Sequence, residues 1–389
     1  MADRGAVARK AALGAAVAGG SVAAAGALTS VGAAAYFARK ALTPDRQRPD
    51  DTQILAVGDT TVTLDITPET VMPGRYGLWL DSSRGHVRLG DVVALDHERG
   101  TVRRQVLGVD YGLLAPGFAR WNQYFFVGPP DRALGVPTEY VDVPTELGTM
   151  PAWVIRAERE SNRWAVLVHG RGARRDEGLR AVKPLRDNGI NVIIPSYRND
   201  LGARSGPDGR YNLGLSEWRD IEDAGLAAVQ RGARELILVG WSMGGAIVLQ
   251  TLSRSWLADH VSRVVLDGPV IDWGDVLAHH ARAHKVPAPI GGLSRALMGR
   301  RSARRLVGVH SPVDVAKTNW VQRAAELRHP MLVIHSVDDE FVPVGPSLEL
   351  AAVRPDLVTM EPWDTARHTK EWNVDPDRWE RCVAEFVSG

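Results

Sequence analysis

The sequence predicts an α/β protein. It would have a mostly parallel central sheet with helices on both faces, a helical cap insertion, a small β-rich domain ahead of the sheet, and an N-terminal transmembrane helix. Three observations carry this expectation. From about residue 149, continuous apolar runs alternate with helix-period stretches, the pattern of strands covered on both faces. Between 52 and 148 the runs are short, have a period near two, and are separated by Gly, Pro and Asp, as in antiparallel β structure. Ahead of both, the 28 residues from Ala11 to Ala38 carry no charge and are flanked by Arg9-Lys10 and Arg39-Lys40, long enough for one bilayer-spanning helix.

The elements follow in order. Residues 1–40 read as a signal anchor, with export-signal cleavage or an Ala-rich helix away from the membrane as alternatives. An anchor with its short basic end in the cytoplasm places the body outside the membrane; cleavage would make the protein secreted. Residues 41–51, "ALTPDRQRPDD", read as a linker. In 52–148, "TTVTLDI", "RYGLWLD", "GDVVALD" and "YFFVG" read as strands, and Asp110-Tyr111 as a turn or a binding feature. In 149–389, "WAVLVHG", "NVIIPSY", "ELILVG", "VSRVVLDG", "PMLVIHS" and "DLVTMEPW" read as strands with helices between them. The rhythm breaks between about 271 and 325, where two helices divided by a Pro/Gly turn suit a cap over the strand ends.

Composition narrows the function. The chain holds 47 basic and 46 acidic side chains, with no basic tract in the main body, which argues against nucleic acid as a partner. The single cysteine, Cys382, excludes an internal disulfide and a thiolate metal cluster. His279, His280 and His284 lack the Glu of a His-Glu-x-x-His zinc pattern, so they read as cap or surface residues.

The sharpest local signal is "GWSMGG", residues 240–245, directly after the apolar run "ELILVG". Gly-x-Ser-x-Gly alone is weak, but between a strand and a helix it is the setting that projects a serine hydroxyl above a sheet. Gly240 and Gly244 leave room for the turn. The Met243 N–H, in the first helical turn, would face a developing oxyanion. A serine needs a base, and the base a carboxylate to orient it. Downstream, "SVDDEFVP" puts Asp338 and Asp339 just past a strand, and "WDTARHTKEW" puts His368 in the loop after the next. A second oxyanion donor is expected from "HGRGARR", with the Arg171 N–H as candidate and His169 ordering the loop. The side chains of Arg171, Arg174 and Arg175 suit either solvent or an acidic substrate group. Tyr197, in the polar "YRND…SEWRD" region, suits loop ordering or a substrate pocket.

The stretches "VLVHGRG", "LVGWSMGG", "VVLDGPVIDW", "LVIHSVDDEFVP" and "RHTKEWNVDPDRW" resemble the α/β-hydrolase superfamily, serine esterase/peptidase-like, over roughly residues 150–389. In detail they resemble actinobacterial membrane-associated or secreted members of unassigned substrate. The resemblance implies Ser242 as nucleophile, Asp339 as the acid, His368 as the base, and the Arg171 and Met243 amides as the oxyanion hole. Two positions depart from it. Arg367 stands where many relatives have Gly before the base, which would narrow access or attract anions. "LDGP" replaces the common "LDSP".

The expected chemistry is cleavage of a carboxylic ester through an acyl-enzyme, with no cofactor and no metal. A small-molecule or lipid-like acyl substrate fits first, the lipid on the strength of the anchor. A peptide, amide or thioester suits the same machinery, and a non-catalytic binding protein on a hydrolase fold is the rival class.

Overall fold

The computed structural model describes residues 30–44 and 49–389. Two sheets organise it: a closed six-stranded barrel and an eight-stranded mixed sheet.

The barrel is built from β1 (Thr52–Val57), β2 (Thr61–Asp65), β3 (Tyr76–Leu80), β4 (Gly85–Asp96), β5 (Thr101–Tyr111) and β6 (Gly117–Asn122), in the order β1-β2-β5-β4-β3-β6. Closure comes from antiparallel pairing of β1 with β6, Thr52 opposite Ala119 and Ile54 opposite Gly117. Inward residues alternate with outward ones, as barrel strands require, so Ile54, Val62, Leu64, Leu78, Val87 and Leu89 form a separate core. Arg104 is fully buried inside it. Its guanidinium donates to the carbonyls of Thr70, Met72, Gly74 and Gly90 at 2.6–3.0 Å and lies over the rings of Tyr76 and Trp121. Burial lowers its pKa to about 10 despite opposing attraction from Tyr76 and Asp91. This side chain therefore fixes the path of residues 70–74, the loop that meets the second sheet.

The second sheet runs through β7 (Thr138–Thr145), β8 (Gly148–Ile155), β9 (Arg163–Val168), β10 (Asn191–Pro195), β11 (Glu235–Trp241), β12 (Val261–Asp267), β13 (Met331–Ser336) and β14 (Val358–Trp363). Its order is β14-β13-β12-β11-β9-β10-β8-β7. The β7–β8 hairpin adds antiparallel to β10, and the other neighbours pair in parallel. β13 is buried along its whole length, and β11 in all but its first residue. Separate hydrophobic cores lie on the two faces, which is why these strands read as unbroken apolar runs. The 271–325 insertion holds the helices Trp273–Ala283 and Ala288–Gly299, and His280 of the first meets the ring of Phe341, which in turn lies beside His368.

The expected transmembrane helix is a correction. Residues 30–42 do form a helix, α1. Among the described residues, however, no helix is long and apolar enough to cross a membrane. Instead Ala34, Ala35, Ala38 and Leu42 pack into the larger hydrophobic core. Tyr211 N–H donates to the Leu42 carbonyl at 2.9 Å, and Arg171 Nη2 to the Thr43 carbonyl at 2.8 Å. Alanine is small enough to seat one helix closely against another surface, and burial of Leu42 alone contributes about 2 kcal/mol. The single-pass anchor therefore falls. With it fall the membrane partner and the arguments from the anchor for an outward-facing body and for a lipid-like substrate. The first part of the uncharged run, residues 11–29, lies outside the described residues.

Candidate active site

Ser242 sits at the turn between β11 and the helix Met243–Arg254, with φ 52° and ψ −117°. A non-glycine residue in that region is strained and must be held by its surroundings. Here the holding is tight. A Cβ on Gly244 would fall 2.0 Å from the Val168 carbonyl oxygen, and one on Gly240 2.7 Å from the Gly244 backbone. The Ser242 N–H donates to the Asp267 carbonyl at 3.0 Å, and its own carbonyl accepts from Val270 N–H at 3.1 Å.

His368 Nε2 lies 2.9 Å from Ser242 Oγ, and His368 Nδ1 2.7 Å from Asp339 Oδ2. With Nδ1–H donating to the carboxylate, Nε2 is left to accept the serine proton. Asp339 is buried, and its Oδ1 accepts from the Phe341 and Val342 amides, each at 2.8 Å. Burial would raise its carboxyl pKa. The charge of His368 and hydrogen bonds from His335 and His368 overcome this and hold it well below the usual carboxylate range.

The other acid, Asp338, is committed elsewhere: its Oδ1 accepts from Ser336 Oγ at 2.5 Å and from Arg367 N–H at 2.8 Å. Arg367 and Thr369, on either side of His368, both have positive φ, 61° and 50°. The Arg367 side chain pairs with Glu340 at 2.7 Å and with Glu69 of the barrel at 3.2 Å. Its charge is thus answered by two carboxylates rather than offered to a ligand.

The 169–178 loop runs beside the serine, since a Cβ on Gly170 would lie 3.1 Å from Ser242 Cβ. The Gly170 N–H is taken by Glu177 Oε2 at 2.7 Å. The next amide is that of Arg171, and Met243 is the first residue of its helix, where an N–H has no intrahelical acceptor. His169 Nε2 meets Asp200 Oδ2 at 2.8 Å, and Tyr197 stacks on the His169 ring while its hydroxyl donates to the His169 and Gly170 carbonyls. Both therefore order this loop from below. Over the site, the ring of Phe341 lies 5.1 Å from His368 and 4.5 Å from His280 of the cap, and His279 reaches the Glu340 carbonyl.

Sequence reasoning missed His335, Glu177 and Glu69. His335 Nε2 approaches Asp339 Oδ2 at 3.2 Å and the Val342 carbonyl at 3.1 Å, while Nδ1 accepts from Ser347 Oγ. A lone histidine within an apolar strand carries no signal of such a role; only the spacing of four to Asp339 hints at it.

Residues 165–384 match the family described as alpha/beta hydrolases. The chain is an α/β hydrolase. Its barrel, residues 53–122, matches a family described as a domain of unknown function. Among solved structures this hydrolase is similar to an esterase of Pyrococcus furiosus, 20% identical, with 67% of this chain and 94% of that one covered at a TM-score of 0.51. It is also similar to esterases of Thermogutta terrifontis (18% identity, 64% and 98% covered, TM-score 0.46) and Exiguobacterium antarcticum (15%, 64% and 100%, 0.46). The Pyrococcus furiosus likeness shows the fold alone, and nothing in these comparisons singles out the actinobacterial group that the motifs resemble. No curated protein matches the hydrolase.

Proposed function

We propose that this α/β hydrolase is a serine hydrolase that transfers an acyl group to water, with a carboxylic ester as its first substrate class. What supports this most is the continuous hydrogen-bond chain from Ser242 through His368 to Asp339, ending on a strained serine. His368 takes the Ser242 proton as the hydroxyl attacks the carbonyl carbon. Asp339 holds the imidazole in the required tautomer and stabilises its charged form, and its depressed pKa keeps it ionised for that task. The Arg171 and Met243 amides receive the oxyanion. His368 then protonates the leaving group, and next activates water to release the acid.

An ester fits ahead of an amide because its alcohol leaving group demands less of the base than an amine, and the Pyrococcus furiosus neighbour is named an esterase. A thioester or an amide suits the same machinery. The test is hydrolysis by the full chain of p-nitrophenyl acyl esters, with matched thioester and aminoacyl-amide substrates and a fluorophosphonate probe. Ser242→Ala should lower kcat by on the order of 10⁴-fold or more and abolish labelling. Labelling that survives the substitution sinks the serine assignment. Silence of the wild type toward every substrate and the probe moves the reading to a non-catalytic binding protein.

A further inference from the structure

Between the barrel and the larger sheet lies a cavity of about 290 Å³ that the triad does not line. That is at the lower end of the size range of small-molecule sites. Trp79 and Tyr111 of the barrel form one wall; Trp153, Arg174 and Arg175 of the sheet domain form another. Two guanidinium groups therefore flank one space, each stacked on an aromatic ring. Arg174 lies 5.0 Å from the centre of the Trp79 ring and Arg175 4.1 Å from that of Trp153.

The two cations differ in what answers them. The Arg174 Nε lies 3.6 Å from Asp176 Oδ2. Arg175 has neither a salt bridge nor a side-chain hydrogen bond among the described residues. The cavity's acids are already engaged. Asp176 Oδ1 accepts from Gly128 N–H at 2.6 Å, and Asp200 Oδ2 accepts from Tyr197 N–H at 2.9 Å and meets His169. A half-buried guanidinium with no carboxylate in direct contact pays a desolvation cost that the more distant Asp176 and Asp200 offset only in part and that a bound anion would offset further. Burial accordingly lowers the Arg175 pKa, against the pull of Asp176 and Asp200. At the mouth, Leu201 is 88% exposed, an apolar side chain with nothing over it.

We propose that this cavity binds a small organic anion, its carboxylate or phosphate on the Arg175 guanidinium and its flat or apolar body against Trp79 and Tyr111. A planar guanidinium offers two parallel N–H groups to such an anion, and the stacked tryptophan fixes the plane of the fork. The cavity shares the 169–178 loop with the serine, since Gly170 abuts Ser242 while Arg174 and Arg175 line the cavity. Two sources of the anion fit: a distal acidic group of the substrate, or a separate effector. Binding itself does not depend on the acyl-transfer reading.

The experiment titrates the full chain with phenyl phosphate and with benzoate, followed by tryptophan fluorescence, since Trp79 and Trp153 line the site, and by calorimetry. Saturable binding is expected, at least tenfold weaker in Arg175→Gln, unchanged in Ser242→Ala, and absent for phenol and benzyl alcohol. Should Arg175→Gln not fold, phenylglyoxal labelling of Arg175 in the wild type, mapped by mass spectrometry, should be blocked by phenyl phosphate. Absence of saturable binding of both anions overturns the proposal. So does equal affinity in folded Arg175→Gln, equal binding of the neutral analogues, or labelling of Arg175 that phenyl phosphate leaves unchanged. The source is read from turnover. A substrate group predicts a KM for p-nitrophenyl half-esters of dicarboxylic acids that is lower than for monoacid esters in the wild type alone. An effector predicts that phenyl phosphate alters kcat on p-nitrophenyl acetate without competing.

Discussion

The serine and the histidine of this site are supported in opposite ways. Ser242 rests on its own sheet. The backbones of Val168, Gly240, Gly244 and Asp267 hold it, and its strained φ is imposed by close packing within the α/β unit. His368 lies between two residues of positive φ in a loop that leans outward. Arg367 reaches Glu69 of the barrel. Asn373, a few residues on, donates to the Arg75 and Gln123 carbonyls at 2.6 and 2.8 Å and accepts from Arg75 N–H at 2.7 Å. The nucleophile is thus held by packing within its own sheet, and the base by Asp338 and Asp339 of that sheet together with contacts from a second domain. The barrel thus reaches the base loop, and its internal Arg104 holds the loop that makes these contacts.

The packed side should break hardest. In Gly244→Ala the new Cβ would meet two backbone oxygens, those of Val168 at 2.0 Å and His169 at 2.7 Å, and neither can swing away. Overpacking against rigid backbone belongs to the severe class of substitutions, here more than about 3 kcal/mol. Expression should fail, or the thermal midpoint should drop sharply. A variant that melts within a degree or two of wild type would show that the elbow tolerates far more than its geometry implies.

The same contrast explains what the sequence makes legible. The turn at Ser242 can be read from six consecutive residues because strand, elbow and helix are all local. The order serine, aspartate, histidine can be read because each follows an apolar strand of a parallel sheet. The supports of the base are not local. Glu69 and Arg367 are 298 positions apart, and no composition signal links them. For the same reason the sequence suggests a role for Arg367 toward anions, whereas the fold gives it two carboxylates. Barrel closure depends on β1 meeting β6, a pairing that alternation within each strand does not specify. The alanine-rich run shows the limit of composition. An uncharged surface says that something must cover it, but not whether that is lipid or, as for residues 30–42, the protein's own core.

Beneath the base loop lies a group whose effect should be smaller and visible only against pH. Glu371 is fully buried, and neither carboxyl oxygen accepts a hydrogen bond from a donor group among the described residues. Its neighbour Asp267 accepts from the indoles of Trp241 and Trp379. Burial first, and then the charge of Asp267, raise the Glu371 pKa well above its usual value, so the folded protein holds this proton to a higher pH than the unfolded chain does. The unfolded chain releases it above about pH 4.3. The folded state then binds more protons, so this group's contribution to stability falls as pH rises above that value, by up to about 1.4 kcal/mol per pH unit until the folded pKa is passed. Glu371→Gln stays neutral and should lose that slope. Its urea midpoint, compared with wild type at pH 5, 6.5 and 8, should gain with pH until the folded pKa of Glu371 is passed. A constant offset between the two proteins would mean that Glu371 is ionised in the fold.

The mildest test acts on the barrel contact itself. Glu69→Gln removes one of two partners of a partly exposed Arg367 and leaves Glu340 in place. Such a pair is worth roughly 0.2–1 kcal/mol, so stability should change little. If the barrel positions His368, kcat should still fall by roughly two- to fivefold, the equivalent of that energy, with KM nearly unchanged. The gap between wild type and variant should also narrow at high salt, because an exposed pair is screened. Glu69→Lys, which places like charge against Arg367, should fall further, and a second change, Glu340→Gln, should deepen the loss. A barrel that only covers the sheet predicts none of this: Glu69→Gln would leave kcat unchanged at every salt concentration. The base would then owe its place, like the serine, to its own sheet.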